Sequence, residues 1–154
     1  MEIHPGINGF ERTISEEINA LTQRALESVV IVHNGRHGAG AGLIWQPDGV
    51  IVTNYHVVGR RSPQVALLDG RESAAEVLAR EKKHDLAMLR IESDDVLSPI
   101  ELADSRQLRV GQFAMAVGHP WGQIGAVSLG TVSYTHLRAH ETIHAISYAV
   151  FCLK

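Results

Sequence analysis

Two short segments hold the residue types from which hydrolytic chemistry is built. Ile51-Val52-Thr53-Asn54-Tyr55-His56-Val57-Val58 carries a histidine at the end of an apolar run. Lys83-His84-Asp85-Leu86-Ala87-Met88-Leu89 sets an aspartate at the mouth of another. An acid so placed is costly to bury unless it accepts hydrogen bonds, and an imidazole N–H is a natural partner. That bond fixes the tautomer of the histidine and stabilises the imidazolium formed when the ring takes a proton from a nucleophile. His56 and Asp85 are therefore the candidate general base and its orienting acid. A histidine beside apolar residues is more often structural, and it is the second segment that shifts the balance. Asp48, Asp69, Asp94, Asp95 and Asp104 compete on spacing alone, but they fall in turns or polar loops, where aspartate is common for local reasons.

A second constellation is His140-Glu141-Thr142-Ile143-His144, a formal match to H-E-x-x-H. On a helix this puts two imidazoles on one face for zinc, with the glutamate as general base. Catalytic zinc needs a third protein ligand, however, and no His, Asp or Glu follows His144. The longer metzincin pattern also fails, because positions 147 and 150 are Ser and Val. A ligand such as His119 would have to come from elsewhere, so zinc catalysis is a remote alternative and no cofactor is expected. Gly38, Gly40 and Gly42 do not form a dinucleotide fingerprint, because Leu43 stands where the third glycine belongs. Close backbone approach is the better reading of these glycines. The single cysteine, Cys152, reads as a plain apolar residue, and His33, His37 and His84 as surface or turn residues.

Mostly short strands hold these residues in place. Ile14, Ile18, Leu21 and Ala25 predict one packing helix over 14–27, with Thr13 and Glu16 spaced as a capping box. From Ser28 onward, β-branched runs alternate with turn residues. Strands are predicted at 28–33, 42–45, 50–53, 64–68, 73–79, 86–91, 112–118 and 126–132. Gln46-Pro47-Asp48-Gly49 and Asp69-Gly70-Arg71 read as hairpin turns. Many short strands without βαβ alternation indicate an all-β, antiparallel barrel or sandwich. The organisation expected is an N-terminal segment and helix (1–27), a β domain (28–132) and a tail (133–154).

Six blocks in this order carry a family resemblance: Gly40-Ala41-Gly42-Leu43-Ile44, Pro47 to Val58, Asp85-Leu86-Ala87-Met88-Leu89, Leu102-Ala103-Asp104-Ser105, Leu108-Arg109-Val110-Gly111, and Ala116-Val117-Gly118-His119-Pro120-Trp121-Gly122. Together they resemble the HtrA (Deg) branch of the trypsin-like serine proteases, collinearly from about Ser28 to Val132. The resemblance implies two six-stranded antiparallel barrels with a cleft between them. It makes His56 the general base and Asp85 its partner, both from the first barrel. It further implies unfolded or misfolded protein as substrate, frequent homotrimers, and a periplasmic or cell-envelope location. His119-Pro120-Trp121 replaces the family's Asn-Pro-Phe and is expected to shape one wall of the cleft.

The pattern then breaks. The family's nucleophilic serine lies in a Gly-Asn-Ser-Gly-Gly loop, and no such loop occurs in this chain. Ser128, Ser133 and Ser147 are the only serines past Ser105, and none has the flanking glycines that let backbone donors converge on an oxyanion. Residues 133–142 resemble a translated read-through of sequencing adapter. The expectation is a truncated protease domain ending in a non-homologous tail and inactive as written, with a non-catalytic pseudo-protease or peptide-binding barrel as the alternative.

Composition sets the outer bounds. The chain of 154 residues suits one domain, with 45% hydrophobic and 20% charged residues. A net charge of -3 gives no electrostatic case for nucleic-acid binding. No segment has the length and apolarity of a membrane span. The polar start, MEIHPGINGFERTISEE, lacks a signal-peptide pattern. The expectation is a cytoplasmic protein unless an export segment lies upstream.

Overall fold

Apolar β-branched residues at alternating positions need a common interior, and here they find it by closing a sheet on itself. The computed structural model describes residues 9–35, 38–59, 62–119, 124–133 and 149–152. One helix, α1 (Gly9–Glu27), precedes nine strands: β1 (Val29–His33), β2 (Ala39–Ile44), β3 (Val50–Asn54), β4 (Gln64–Ala66), β5 (Glu72–Glu81), β6 (Leu86–Ile91), β7 (Phe113–Gly118), β8 (Ala126–Thr131) and β9 (Ala149–Cys152). The first six form a closed antiparallel barrel in the order β1-β2-β3-β6-β5-β4, and the rest a three-stranded sheet in the order β8-β7-β9. The described residues thus form a closed six-stranded antiparallel barrel, a three-stranded sheet and one α-helix.

The barrel interior is filled by Val30, Val32, Ile44, Ile51, Val65, Leu89 and Ile91, all fully or almost fully buried. Gly42 is required among them. A Cβ there would stand 2.9 Å from the Ile51 Cγ2 and 3.0 Å from the Val32 Cγ2. The close approach expected of the glycines is therefore realised at Gly42. The predicted turn at 46–49 joins β2 to β3, and its last residue, Gly49, has φ of +94°, a conformation that glycine adopts without strain.

Two local expectations are corrected. The helix α1 runs Gly9–Glu27, so Thr13 lies inside it rather than at an N-cap. Nothing in Gly9-Phe10-Glu11-Arg12 stops a helix, and Glu16 pairs with Arg12 one turn back at 2.9 Å. A four-residue polar spacing on a helix face mimics a capping box. The strand β9 lies in the segment for which no strand was predicted. It pairs with β7 from Ala114↔Cys152 to Val117↔Ala149. The helix packs Leu21, Ala25 and Leu26 against Met115 and Val117 of β7, joining sheet and barrel through the segment that leads directly into β1.

Candidate active site

The ends of β3 and β6 build the site. Both strands are apolar and pair antiparallel from Val50↔Arg90 to Asn54↔Leu86. That register brings the residue just before β6, Asp85, beside the turn that follows β3. The Tyr55 N–H donates to the Asp85 carbonyl at 3.0 Å, extending the ladder by one bond. The chain then turns through Tyr55, His56 and Val57 before Val58 drops into the core. His56 is thereby pinned between a strand end and a buried apolar anchor.

The structure brings His56 and Asp85 together. The His56 backbone N–H donates to Asp85 Oδ1 at 3.0 Å, and His56 Nδ1 lies 2.6 Å from Asp85 Oδ2. An ionised carboxylate only accepts, so the ring proton sits on Nδ1 and the lone pair is left on Nε2. The Asp85 side chain is 17% exposed, whereas that of His56 is 60% exposed. The carboxylate is shielded and held, and the imidazole faces outward. Asp85 also has φ of 53°, in the left-handed region, where a non-glycine residue is uncommon and concentrates at functional sites.

The competing aspartates have local duties. Asp48 pairs with Arg90 across the barrel surface at 3.1 Å. Asp69 and Asp95 flank Arg71 at 2.7 and 2.6 Å. The Arg71 backbone N–H, and then its guanidinium, hold the Asp69 carboxyl below its ordinary range. Asp104 caps the 3₁₀ turn Ser105–Gln107, and the Arg106 side chain, then its N–H, lowers its carboxyl likewise. Asp94 is exposed.

Other candidates are not gathered at this site. His84 is exposed in the turn before Asp85, and His33 is half-buried at the end of β1. His119 is buried, and its Nδ1 accepts the Gly125 N–H at 3.1 Å. His37, Pro120, Trp121, His140, Glu141 and His144 lie outside the described residues. Among the described residues no three His, Cys, Asp or Glu side chains cluster to hold a metal. One participant escaped the sequence reading: Asn54, 1% exposed, donates from Nδ2 to both the carbonyl and Oδ2 of Asp85. Its one signal was a polar residue closing an apolar strand.

The chain is similar to known proteins. A family model described as "Trypsin-like peptidase domain" matches residues 40–152. A "Probable periplasmic serine endoprotease DegP-like" of Rickettsia conorii is 40% identical over 96 residues, covering 61% of this chain and 19% of that protein. A protein of the same description from Halomonas elongata is 41% identical over 99 residues, covering 64% and 21%. "Protease Do-like 5, chloroplastic" of Arabidopsis thaliana is 35% identical over 114 residues, covering 65% and 35%. The chain spans about a fifth to a third of the length of these relatives. With a closed six-stranded barrel and a family match over most of its length, the chain belongs to the trypsin-like peptidase domain family, and its curated relatives are DegP/HtrA-like serine proteases.

Proposed function

We propose that this chain carries the acid–base part of a serine endopeptidase site of the HtrA kind, with His56 as general base and Asp85 as the carboxylate that orients it. The observation that supports this is the paired contact of Asp85 with the backbone N–H and the Nδ1 of one exposed histidine. Nε2 takes the proton of a hydroxyl nucleophile as it attacks a peptide carbonyl, and then returns it to the leaving amine. Asp85 holds the ring and stabilises the imidazolium between these steps. The substrate class is unfolded or misfolded protein, as the HtrA resemblance implies.

No serine in the 154 residues has the glycine neighbours of an oxyanion loop. On this ground the chain alone hydrolyses no peptide bond, and the same observation favours a second reading, a non-catalytic barrel that binds extended peptide. Homotrimers and a periplasmic location belong to the first reading. They rest on the family and on the relatives' names. No helix among the described residues is long and apolar enough to cross a membrane.

The test is a chimera in which residues after Val132 are replaced by the remainder of the Rickettsia conorii relative's protease domain. The parent chain should not cleave casein. The chimera should cleave it, and His56→Ala and Asp85→Asn should each abolish cleavage while the barrel stays folded. Undiminished cleavage by a folded His56→Ala chimera overturns the assignment.

A further inference from the structure

We infer that Asn54 is a positioning residue for the His56–Asp85 pair: its buried amide clamps Asp85 in the orientation that serves His56. This rests on the reading of that pair as base and orienting acid. Asn54 closes β3 opposite Leu86 and is 1% exposed. Its Nδ2 carries two hydrogens and meets two oxygens of one residue, the Asp85 carbonyl at 3.1 Å and Oδ2 at 3.2 Å. The carbonyl is already taken by the Tyr55 N–H at 3.0 Å. Closing the strand end therefore does not depend on Asn54. The bond to Oδ2 reaches the oxygen that faces the histidine ring.

Two further features support the assignment. Among the described residues Asp85 is the one non-glycine residue with positive φ, and a strained backbone persists only where its surroundings over-determine it. Asn54 grips both the backbone and the side chain of that residue. The other end of the amide, Oδ1, is buried without a hydrogen-bond partner. Turning the amide over would set Oδ1 against two Asp85 oxygens, so Asp85 dictates its orientation. A buried amide that leaves its acceptor unused is held for its donor.

The readout is the tautomer of His56, followed by nitrogen and proton magnetic resonance on the full 154-residue chain. In the parent protein His56 should be almost wholly the Nδ1–H form, and the Asn54 Nδ2 protons should shift with the same pH midpoint as the ring. In Asn54→Ala and the near-isosteric Asn54→Asp, with the fold checked by the amide spectrum, the Nε2–H form should rise several-fold and the midpoint should move. An unchanged tautomer and midpoint in a folded variant overturns the inference. Should both variants unfold, Asn54 protons in the parent that ignore the ring's titration overturn it. Asp85→Asn separates the two levels. A His56 indifferent to Asp85→Asn refutes the pair itself. A His56 that responds to Asp85→Asn but to neither Asn54 variant refutes only the role of Asn54.

Discussion

Replacing Gly42 with alanine adds one methyl group where the barrel is already full. The new carbon would stand 2.9 Å from Ile51 Cγ2, 3.0 Å from Val32 Cγ2 and 3.1 Å from Val30 Cγ2. Carbon atoms in good contact sit about 3.5–4.0 Å apart, so each neighbour must retreat by roughly 0.5–1 Å. None has solvent to retreat into, since Ile51 and Val32 are 0% and Val30 1% exposed. The backbone is no obstacle, because Gly42 lies within the regular strand β2. Overpacking of a core costs about 1–3 kcal/mol, and three simultaneous contacts argue for the upper half of that range. A stiffer unfolded chain returns about 0.4–1 kcal/mol at sites where alanine fits the backbone. The net expectation is a loss of about 1–2.6 kcal/mol, or roughly 2–10 °C in Tm for a chain of this size. Urea unfolding followed by tryptophan fluorescence reads it. Because Gly42 pairs with Thr53 on the strand that leads to His56, the His56 tautomer should also become less uniform. A variant within about 0.5 kcal/mol of the parent, the usual span of a neutral surface change, would show that the barrel is looser than its geometry.

Thr53→Val keeps the shape of a 0%-exposed residue but removes the hydroxyl that donates to the Ala41 carbonyl at 2.8 Å. It should cost about 1–2 kcal/mol by the same urea measurement, and no loss would mean that the bond is not made. Asp69→Asn tests the surface network. The folded carboxyl is held below 3.8 by Arg71, so its contribution is present above that pH and fades as pH falls through the lowered value. The urea midpoints of parent and Asp69→Asn should differ slightly near neutrality, converge in acid, and draw together in high salt. A gap that widens in acid refutes this sign. The purified chain should hold no stoichiometric zinc by metal analysis; zinc at one equivalent, lost on His140→Ala, would revive the H-E-x-x-H reading.

What could be read from the sequence divides along the range of the forces involved. The predicted strand 86–91 coincides with β6, Leu86–Ile91, and the predicted turn at 46–49 closes the β2–β3 hairpin. Both depend on a residue and its near neighbours: an unbroken apolar run, or proline, aspartate and glycine in fixed order. The predicted 73–79 strand grows to Glu72–Glu81 because a bulge between Val77 and Ala79 lets β5 follow β6 further than its own pattern shows. The extension of α1 and the strand β9 were missed for a related reason. A polar pair inside a helix and a four-residue strand without turn signals have no local signature, and β9 exists through its pairing with β7.

The candidate site shows the same division in finer detail. Asp85 was legible because an acid before an apolar strand demands a partner. Asn54 was not, because a polar residue at a strand end already has an ordinary explanation. What separates the two is register. The pairing Asn54↔Leu86 sets Asn54 beside the residue that precedes β6, and a slip of β3 against β6 would change that placement together with the face of every β3 side chain. Register is in turn fixed by Ile51 and Leu89, paired neighbours that both point into the core. The geometry of the His56–Asp85 pair is therefore set by barrel packing within residues 29–91. That stretch closes through β1 and β4 without help from β7, β8 or β9. It follows that the pair should keep its Nδ1–H tautomer when the three-stranded sheet is perturbed, for example by Met115→Ala beneath α1, even though such a change loosens the contact of helix and sheet. A tautomer that scrambled in a folded Met115→Ala variant would show that the barrel does not set the pair alone.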